Sequence, residues 1–338
     1  MDTDTSKLVR TCETALAHGL DYLLERLGPD GTYAVVGREL AAYYKLPYVL
    51  WKLGHAQQAR LSLEYILNEF LDADGSLRKG GQETANSIYI THTRNYMNTW
   101  LVRGAVALDC KDAAEQMLGY LKTQQHAETG GVYARPAAER TDIGTTSAFG
   151  VAALDAGDLE SAIRAAKFLL LALNSQHTEN DLYLCLEGKT LMREFPKEQE
   201  VFFVIRTQET NQAYWYIGIA MAFLARLGRQ AADDTYIDAA QKFREIVANC
   251  AEDKFAKIAS GKVGWGMKTL YQATQDKNLL GPVAQIAKNL CAIQLKDGQW
   301  TLPGFQDSSS QEAVAVTLDI TVEIALWVTE LKELLNSV

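Results

Sequence analysis

Two kinds of apolar segment alternate along this sequence, and the alternation restricts the possible folds more than any other feature. Residues 209–227 begin polar and are then apolar on nearly every side of a helix, which is typical of a helix buried all round. Residues 236–249 instead carry apolar side chains at helical spacing and charged ones opposite, which is typical of a surface helix. We therefore predict a buried inner helix covered by an amphipathic outer helix.

The same two types of segment recur along the whole chain. Internal repetition of this kind has to be tested before any other fold is considered. The amphipathic segments cover approximately residues 6–26, 55–70, 112–124, 159–173, 236–249 and 279–295. The buried segments cover approximately residues 38–53, 94–108, 142–156, 209–227, 264–274 and 312–335. No domain boundary interrupts the alternation, so residues 1–338 are predicted to form a single domain.

The turns that follow the outer segments also repeat a pattern. Residues 294–300 read QLKDGQW and residues 124–133 read QQHAETGGVY. A glutamine amide can bond the free carbonyl groups at a helix end, glycine permits the reversal, and the aromatic side chain fills the gap between neighbouring hairpins. The pattern predicts helical hairpins built in the same way around the fold.

Residues 180–208 separate two of the predicted helices by a segment that is too long for an ordinary helix connection. Residues 182–186 and 200–205 are rich in β-forming side chains, with Gly188 and Pro196 between them. We predict an inserted β-hairpin near 180–208. Such an excursion often serves as a lid or an interface, so a homodimer formed through this hairpin is one expectation.

Composition limits the partners. The formal charge of −9 and the lack of Lys/Arg-rich runs argue against nucleic acid. The polar N-terminus is unlike a signal peptide, and no long uncharged apolar run predicts a membrane span. Five scattered cysteines suit reduced thiols in a cytoplasmic protein, with Cys185 left open as a nucleophile. Five dispersed histidines without an i, i+4 pair argue against a metal, so no cofactor is expected.

Two motifs resemble a known superfamily. The QLKDGQW segment resembles the QW motif of terpenoid cyclases, and residues 130–136 followed by 139–154 resemble the repeat of protein prenyltransferase β-subunits. The resemblance implies an all-α fold, an (α/α)6 toroid or barrel of six helical hairpins. It also implies a central cavity that is entered at the N-termini of the inner helices.

The sequence departs from this superfamily at its reactive motifs. Class II terpene cyclases carry an Asp-x-Asp-Asp motif that supplies the catalytic acid, whereas residues 72–75 read DADG. The zinc site of the prenyltransferases requires an Asp-x-Cys pair, but Asp109 and Cys110 are adjacent. Neither the cyclase acid nor the zinc site can therefore be carried over, and the expected chemistry is metal-independent.

Four residues near the starts of inner segments are predicted to be catalytic. Asp142 opens a helix of small residues, although an aspartate there is also a common N-cap. Asp319 lies in an apolar segment, where a carboxylate needs an ion-pair partner or a raised pKa. His92 is the one histidine near the start of an inner segment. The alternative is that it is a hydrogen-bonded histidine with only a structural role. Glu209 is the acid that could face Asp142 across the cavity.

Further residues near the inner starts are predicted to bind substrate. Aromatic faces stabilise cations and stack on sugar rings, and packing in the core is the alternative for each of them. The predicted substrate-binding residues are Tyr43, Tyr44, Arg94, Tyr96, Trp100, Phe149, Tyr214, Trp215 and Trp265.

Three functions remain open. The first is an enzyme of the cyclase or isomerase type that applies acid–base chemistry to a small, largely apolar, terpenoid- or polyketide-like substrate. The second is a carbohydrate-active α/α-barrel enzyme, either an epimerase, a lyase or a hydrolase. The third is a non-catalytic binding module. A small-molecule ligand in the central cavity is common to all three.

Overall fold

The computed structural model describes residues 3–77, 93–136, 138–176, 180–306 and 309–338, and the predicted site residue His92 lies outside them. These residues form twelve α-helices, none of them long and apolar enough to cross a bilayer. The helices are α1 Thr3–Leu24, α2 Leu46–Lys52, α3 Ala56–Phe70, α4 Arg94–Ala107, α5 Lys111–Thr123, α6 Ile143–Asp155, α7 Leu159–Asn174, α8 Trp215–Ala231, α9 Asp234–Asn249, α10 Ser260–Thr274, α11 Leu280–Ala292 and α12 Gln311–Ser337.

The predicted alternation and the toroid fold are confirmed. The even-numbered helices α2 to α12 pack on one another in chain order, and α12 packs against α2, which closes an inner ring. Helix α6 is buried on all sides from Ile143 to Leu154. Helix α9 buries one face and leaves the other in solvent. The side-chain pattern therefore sorts the helices into an inner ring and an outer belt.

The helices pair as hairpins in which an inner helix is followed by the outer helix that covers it. Helices α2 and α3, α4 and α5, α6 and α7, α8 and α9, and α10 and α11 pack in this way. The sixth pair is formed by α12 and α1, which also contacts α11. The two ends of the chain thus meet to close the ring.

Small residues allow the inner helices to approach closely. A Cβ atom at Gly218 in α8 would overlap the backbone of Lys262 in α10, and one at Gly150 in α6 would overlap the ring of Phe223 in α8. Close approach of this kind needs a residue without a side chain. The glycines therefore set the width of the inner ring.

The repeated turns contain the predicted glutamine and aromatic residues, but the glutamines of two repeats bond carbonyls other than those at the end of the preceding outer helix. Gln294 donates from Nε2 to Gly298 O and to Ala15 O of α1, both at 2.8 Å, and Trp300 donates from Nε1 to Leu290 O at 2.7 Å. In the third repeat it is Gln125 that donates to Gly130 O at 2.9 Å and to Ser161 O at 3.2 Å. The glutamine thus satisfies backbone carbonyls of its own turn and of a neighbouring outer helix.

The predicted β insertion is confirmed as two small sheets. One strand precedes α6, and the other four belong to the insertion: β1 Thr141–Asp142, β2 Asp181–Tyr183, β3 Cys185–Glu187, β4 Thr190–Leu191 and β5 Val204–Arg206. Strand β2 pairs antiparallel with β5, and β3 lies between β1 and β4. Because β1 leads directly into α6, the insertion is anchored at the start of an inner helix.

Candidate functional site

Four charged side chains from three inner segments meet inside the ring. Asp319 and Glu323 lie one turn apart on α12 and so share a face. Nζ of Lys45, the residue before α2, is 2.8 Å from Asp319 Oδ1 and 3.0 Å from Oδ2, and it also contacts Glu323. Lys262 of α10 contacts the other oxygen of Glu323. Two carboxylates and two ammonium groups leave this cluster formally neutral.

Exposure distinguishes the four members of the charged cluster. The side chain of Asp319 is 19% exposed, compared with 9% for Glu323. Those of Lys45 and Lys262 are 2% and 4% exposed. Lys45 and Lys262 lie at the starts of α2 and α10, so the cluster lies at the end of the ring where inner helices begin, which we call the mouth. Asp319 is its most exposed member.

The environment separates the acidities of the two carboxyl groups. Burial raises the pKa of Asp319, the nearby charge of Glu323 adds to the rise, and the ammonium of Lys45 reduces it without cancelling it. Burial acts in the same direction on Glu323, but Lys262 and Lys45 outweigh it and hold the pKa of Glu323 well below its usual range. The pKa of Asp319 thus lies above that of Glu323 on the same face of α12.

Aromatic side chains surround the cluster. Tyr44 OH lies 3.5 Å from Asp319 Oδ2, and the rings of Tyr44 and Tyr96 meet edge to face. Tyr96 also contacts Trp215, with their centroids 5.5 Å apart. Nζ of Lys262 lies 5.6 Å from the centroid of Trp215, which is within the range of a cation–π contact. A carboxyl group with a raised pKa therefore lies beside several aromatic faces.

The ring is filled beneath the charged cluster. Trp327 stacks on Trp265 at a centroid distance of 5.2 Å and meets Trp100 edge to face at 6.0 Å. The gap that remains there has no room for a water molecule and is lined by Thr99, Trp100, Arg103, Ala148, Val151 and Ile219. Among the described residues, the interior below Asp319 is packed side chain rather than a deep cavity.

Ion pairs occupy the far end of the ring, where the inner helices finish. Asp155 accepts hydrogen bonds from Arg103 Nε at 2.7 Å and from Arg226 Nη2 at 2.8 Å. Lys268 of α10 pairs with Glu330 at 2.5 Å and with Glu333 at 2.8 Å. The first group of contacts ties α4, α6 and α8 together, and the second ties α10 to α12.

The structure brings together six of the predicted site residues. Direct contacts join Asp319 to Tyr44, Tyr44 to Tyr96, and Tyr96 to both Trp215 and Trp100, while Trp265 is reached through Trp327. Sequence reasoning missed Lys45, Glu323 and Trp327. The available signal was a lysine and a glutamate inside otherwise apolar segments, with Glu323 four positions after Asp319.

Other predicted residues have structural contacts away from this cluster. Asp142 accepts a hydrogen bond from Thr145 N at 2.7 Å and is the N-cap of α6. Burial raises its pKa, opposed by the charge of Arg140. Tyr43 donates to Gly37 O at 2.9 Å and packs against Tyr65. Each of these side chains therefore has a structural role whether or not it also meets a ligand.

The remaining predicted residues are also placed outside the charged cluster. Tyr214 OH donates to Asp253 at 2.5 Å, and Glu209 is exposed. Arg94 donates from Nη1 to Leu77 O at 3.2 Å, and Phe149 is fully buried in the core. The described residues contain no group of three His, Cys, Asp or Glu side chains placed to hold a metal ion.

Comparison with known proteins finds similarity in structure. Neither a protein-family model nor a curated protein sequence matches the chain. A D-mannose isomerase has a TM-score of 0.65 at 12% identity, covering 96% of this chain and 99% of that chain. The GH76A α-1,6-mannanase from Salegentibacter sp. HEL1_6 has a TM-score of 0.62 at 13% identity, covering 97% and 99%.

A terpenoid cyclase is also among the similar structures. The type II terpene cyclase MstE from Scytonema has a TM-score of 0.59 at 13% identity, covering 97% of this chain and 99% of that chain. Identities this low show the fold alone, and they confirm the resemblance to the cyclase-type toroids as a remote one. The chain is an α/α toroid protein whose fold is shared by a sugar isomerase, a mannanase and a terpene cyclase.

Proposed function

We propose that the protein is an enzyme that uses Asp319 as a proton donor to a small polyhydroxylated, carbohydrate-like molecule at the mouth of the ring. One observation carries the proposal. Asp319 is the most exposed member of the charged cluster, and of its two carboxyl groups it is the one whose pKa is raised overall. A carboxyl group that holds a proton closer to neutral pH is a better general acid.

The surroundings of Asp319 suit proton transfer. Lys45 bonds both carboxylate oxygens, so it stabilises the anion left after the proton has moved to the substrate. Glu323 stays charged and holds Lys45 and Lys262 in place. In an isomerisation or epimerisation, the Asp319 carboxylate would take the proton from one carbon of the substrate and return a proton to the same or the neighbouring carbon. The fixed charges around it require little reorganisation during the reaction.

The contacts at the mouth favour a hydroxylated ligand. Asp319 and Tyr44 offer hydrogen-bonding groups, and the rings of Tyr96 and Trp215 lie beside them. Sugars combine hydroxyl groups with apolar C–H faces that stack on aromatic rings. The neutral cluster adds no preference for an ionic substrate. A D-mannose isomerase and a mannanase with the same fold are in keeping with this class of ligand.

Within that class, the geometry favours isomerisation or epimerisation over hydrolysis. Glycoside hydrolysis uses two carboxyl groups on either side of the bond that is cleaved. The carboxylate nearest to Asp319 on its helix is Glu323, which is held by Lys45, Lys262 and the indole N–H of Trp327. Glu323, one turn from Asp319, is therefore not free to serve as the second carboxyl group that hydrolysis uses.

A second candidate is a cyclase or isomerase acting on a small, largely apolar, terpenoid- or polyketide-like substrate. The observation that favours it is the same acid surrounded by Tyr44, Tyr96 and Trp215. Protonation of a double bond creates a carbocation, and aromatic faces stabilise cations. The filled interior beneath Asp319 leaves less room for such a substrate, and we rank this candidate second.

A ligand and exchange experiment tests the proposal. Thermal shifts are measured with a panel of monosaccharides and with a panel of prenylated and polyketide compounds. Stabilising sugars are then incubated with the protein in D₂O, and deuterium incorporation at carbon is followed by NMR. Asp319→Asn keeps the shape of the side chain and should abolish incorporation while the thermal shift persists. Asp238→Asn, on the exposed face of α9, is the matched control and should retain both.

The outcomes separate the three functions. Deuterium incorporation that depends on Asp319 supports the carbohydrate enzyme. Stabilisation and conversion of apolar compounds instead support the cyclase. A ligand that stabilises the protein without any conversion indicates a binding module. Incorporation that survives Asp319→Asn contradicts the assigned proton donor.

The predicted homodimer is kept as a separate proposal. Val201, in the insertion between β2 and β5, is an apolar side chain that is 37% exposed, so a charge can be introduced there without disturbing the core. Light scattering of the wild type and of Val201→Glu tests it, because the variant should be monomeric at concentrations where the wild type is dimeric. Five free thiols also suit the proposed cytoplasmic location.

A further inference from the structure

Two cysteines lie in contact at the seam where the ends of the chain close the ring. Cys12 is on α1 and Cys291 is on α11, 279 positions apart, and their sulfur atoms are 3.7 Å apart. The other three thiols contact non-thiol groups: Cys110 bonds Leu108 O and Arg60, Cys185 bonds Phe202 O, and Cys250 bonds Ile246 O. Within the described part of the chain, the seam therefore holds the one pair of adjacent thiols.

The seam holds its two sides at a fixed distance. Gln294, just after α11, donates to Ala15 O of α1 at 2.8 Å. A Cβ atom at Gly298 would overlap His18 O, and one at Gly19 would overlap the ring of Trp300. The backbone of α1 thus packs directly on the turn that follows α11. The two sulfur atoms are thus held in contact, and a disulfide requires them to approach to about 2 Å.

The two thiols differ in access and in acidity. Cys12 is fully buried, whereas Cys291 is partly exposed. Their mutual hydrogen bond lowers the pKa of Cys291 and raises that of Cys12. A thiol reacts as its thiolate, and Cys291 is the member of the pair that a dissolved reagent can reach, so Cys291 is the attacking group. Cys12 lies behind it, out of reach of external reagents and in contact with the Cys291 sulfur.

We propose that Cys12 and Cys291 form a thiol-oxidation site that reacts with a small disulfide and closes the ring covalently. The thiolate of Cys291 attacks one sulfur of the small disulfide. That S–S bond breaks, and one small thiol leaves and takes up a proton. Cys12 then loses its proton and attacks the Cys291 sulfur of the mixed disulfide, releasing the second small thiol. Two protein thiols are oxidised and one small disulfide is reduced to two thiols.

The expected consequence is a more stable ring. The bond would link the first outer helix to the sixth and enclose nearly the whole chain. Closing so long a loop restricts the unfolded state strongly. The melting temperature of the oxidised protein should therefore exceed that of the reduced protein by about 5 °C or more. Because neither cysteine belongs to the charged cluster, this inference does not depend on the proposed reaction.

The test uses the full-length protein and oxidised glutathione. After incubation, free thiols are blocked with a maleimide, and the protein is analysed by mass spectrometry and peptide mapping. We expect a Cys12–Cys291 cross-link that dithiothreitol reverses, together with the rise in melting temperature. Cys110→Ser is the matched control, since Cys110 is also partly exposed, and it should cross-link as the wild type does.

Two single variants test the order of the steps. In Cys12→Ser, Cys291 should accumulate as a stable mixed disulfide because the resolving thiol is gone. In Cys291→Ser, the buried Cys12 should stay unmodified in the folded protein. Recovery of both thiols unmodified, or of mixed disulfides without a cross-link in the wild type, would overturn the proposal and leave the pair as a packing contact. Cross-linking only after denaturation would do the same.

Discussion

Glu323 accepts a hydrogen bond from the indole N–H of Trp327, one turn further along α12, at 3.1 Å. The same carboxylate contacts the ammonium groups of Lys45 and Lys262. Three donors from α12, α10 and the segment before α2 thus converge on one side chain. Glu323 therefore joins the last inner helix to both of its neighbours in the ring, and it holds the charged cluster in which Asp319 lies.

Replacing Glu323 with glutamine should destabilise the protein strongly. The amide has nearly the same shape but no charge, so Lys45 and Lys262 would share Asp319 as the remaining carboxylate of the cluster. Breaking a buried ion pair by removing one partner typically costs about 3–5 kcal/mol. Urea unfolding at neutral pH, followed by circular dichroism, measures the loss in free energy of unfolding.

Glu333→Gln is the matched control for Glu323→Gln. Glu333 lies on the same helix and also pairs with two lysines, but its side chain is 41% exposed. Exposed pairs contribute about 1 kcal/mol or less. Equal losses of unfolding free energy for the two variants would show that burial of the charged cluster does not determine how much it contributes to stability.

The ion pairs at the far end of the ring predict a loss of stability in acid. Burial would raise the pKa of Asp155, but Arg103 and Arg226 outweigh this effect and lower it. A carboxyl group whose pKa is lower in the folded state stabilises the fold above its unfolded pKa, and this stability is lost as the pH falls through the folded value. The contribution of Asp155 should thus be complete at neutral pH and decline below about pH 4.

Asp155→Asn isolates that contribution. At pH 7 the variant should lose about 3 kcal/mol of unfolding free energy, because it leaves the buried Arg103 without its charged partner. The difference between wild type and variant should shrink when the titration is repeated at about pH 4 and about pH 3. A difference that stays constant across this range would contradict the assigned pKa shift.

Much of the fold could be predicted because burial leaves a periodic signature in each helix. Side-chain direction around the ring could not be predicted to the same degree. Tyr43 and Tyr44 are adjacent and belong to the same segment of the sequence. Tyr43 nevertheless packs on Tyr65 of the outer helix α3, while Tyr44 reaches Asp319. Successive residues of a helical turn point about 100° apart, and a one-residue error in phase exchanges the two directions.

Lys45 shows a second limit of the sequence. Its partners Asp319 and Glu323 lie 274 and 278 positions away, so no local pattern reveals the pairs. A charged residue in an apolar segment signals that a partner must exist, but it does not identify the partner. For this reason Asp319 could be predicted as a site residue. Its partners in the cluster could not be predicted, because only the closed ring brings them together.

Asp142 provides a test between a structural and a catalytic role. It is buried and bonds the backbone of Thr145. Asp142→Ala should cost about 0.5–2 kcal/mol through loss of the cap, while Asp142→Asn, which retains a capping oxygen, should cost less. Unfolding free energies of the two variants measure this difference. The deuterium-exchange activity of Asp142→Asn should match the wild type, and its loss would return Asp142 to the reaction.

Close packing between α8 and α10 predicts opposite effects of one substitution at two glycines. Gly218 faces the backbone of Lys262, which an alanine Cβ would overlap, and overpacking typically costs about 1–3 kcal/mol. Gly119 is exposed within α5, and a Cβ atom there would meet no neighbouring atom within 4 Å, so alanine should stabilise by about 0.5–1 kcal/mol. Urea titrations of Gly218→Ala and Gly119→Ala measure both effects. Because Lys262 contacts Glu323, Gly218→Ala should also reduce the exchange activity, and a variant with full stability and activity would contradict the close approach of the two helices.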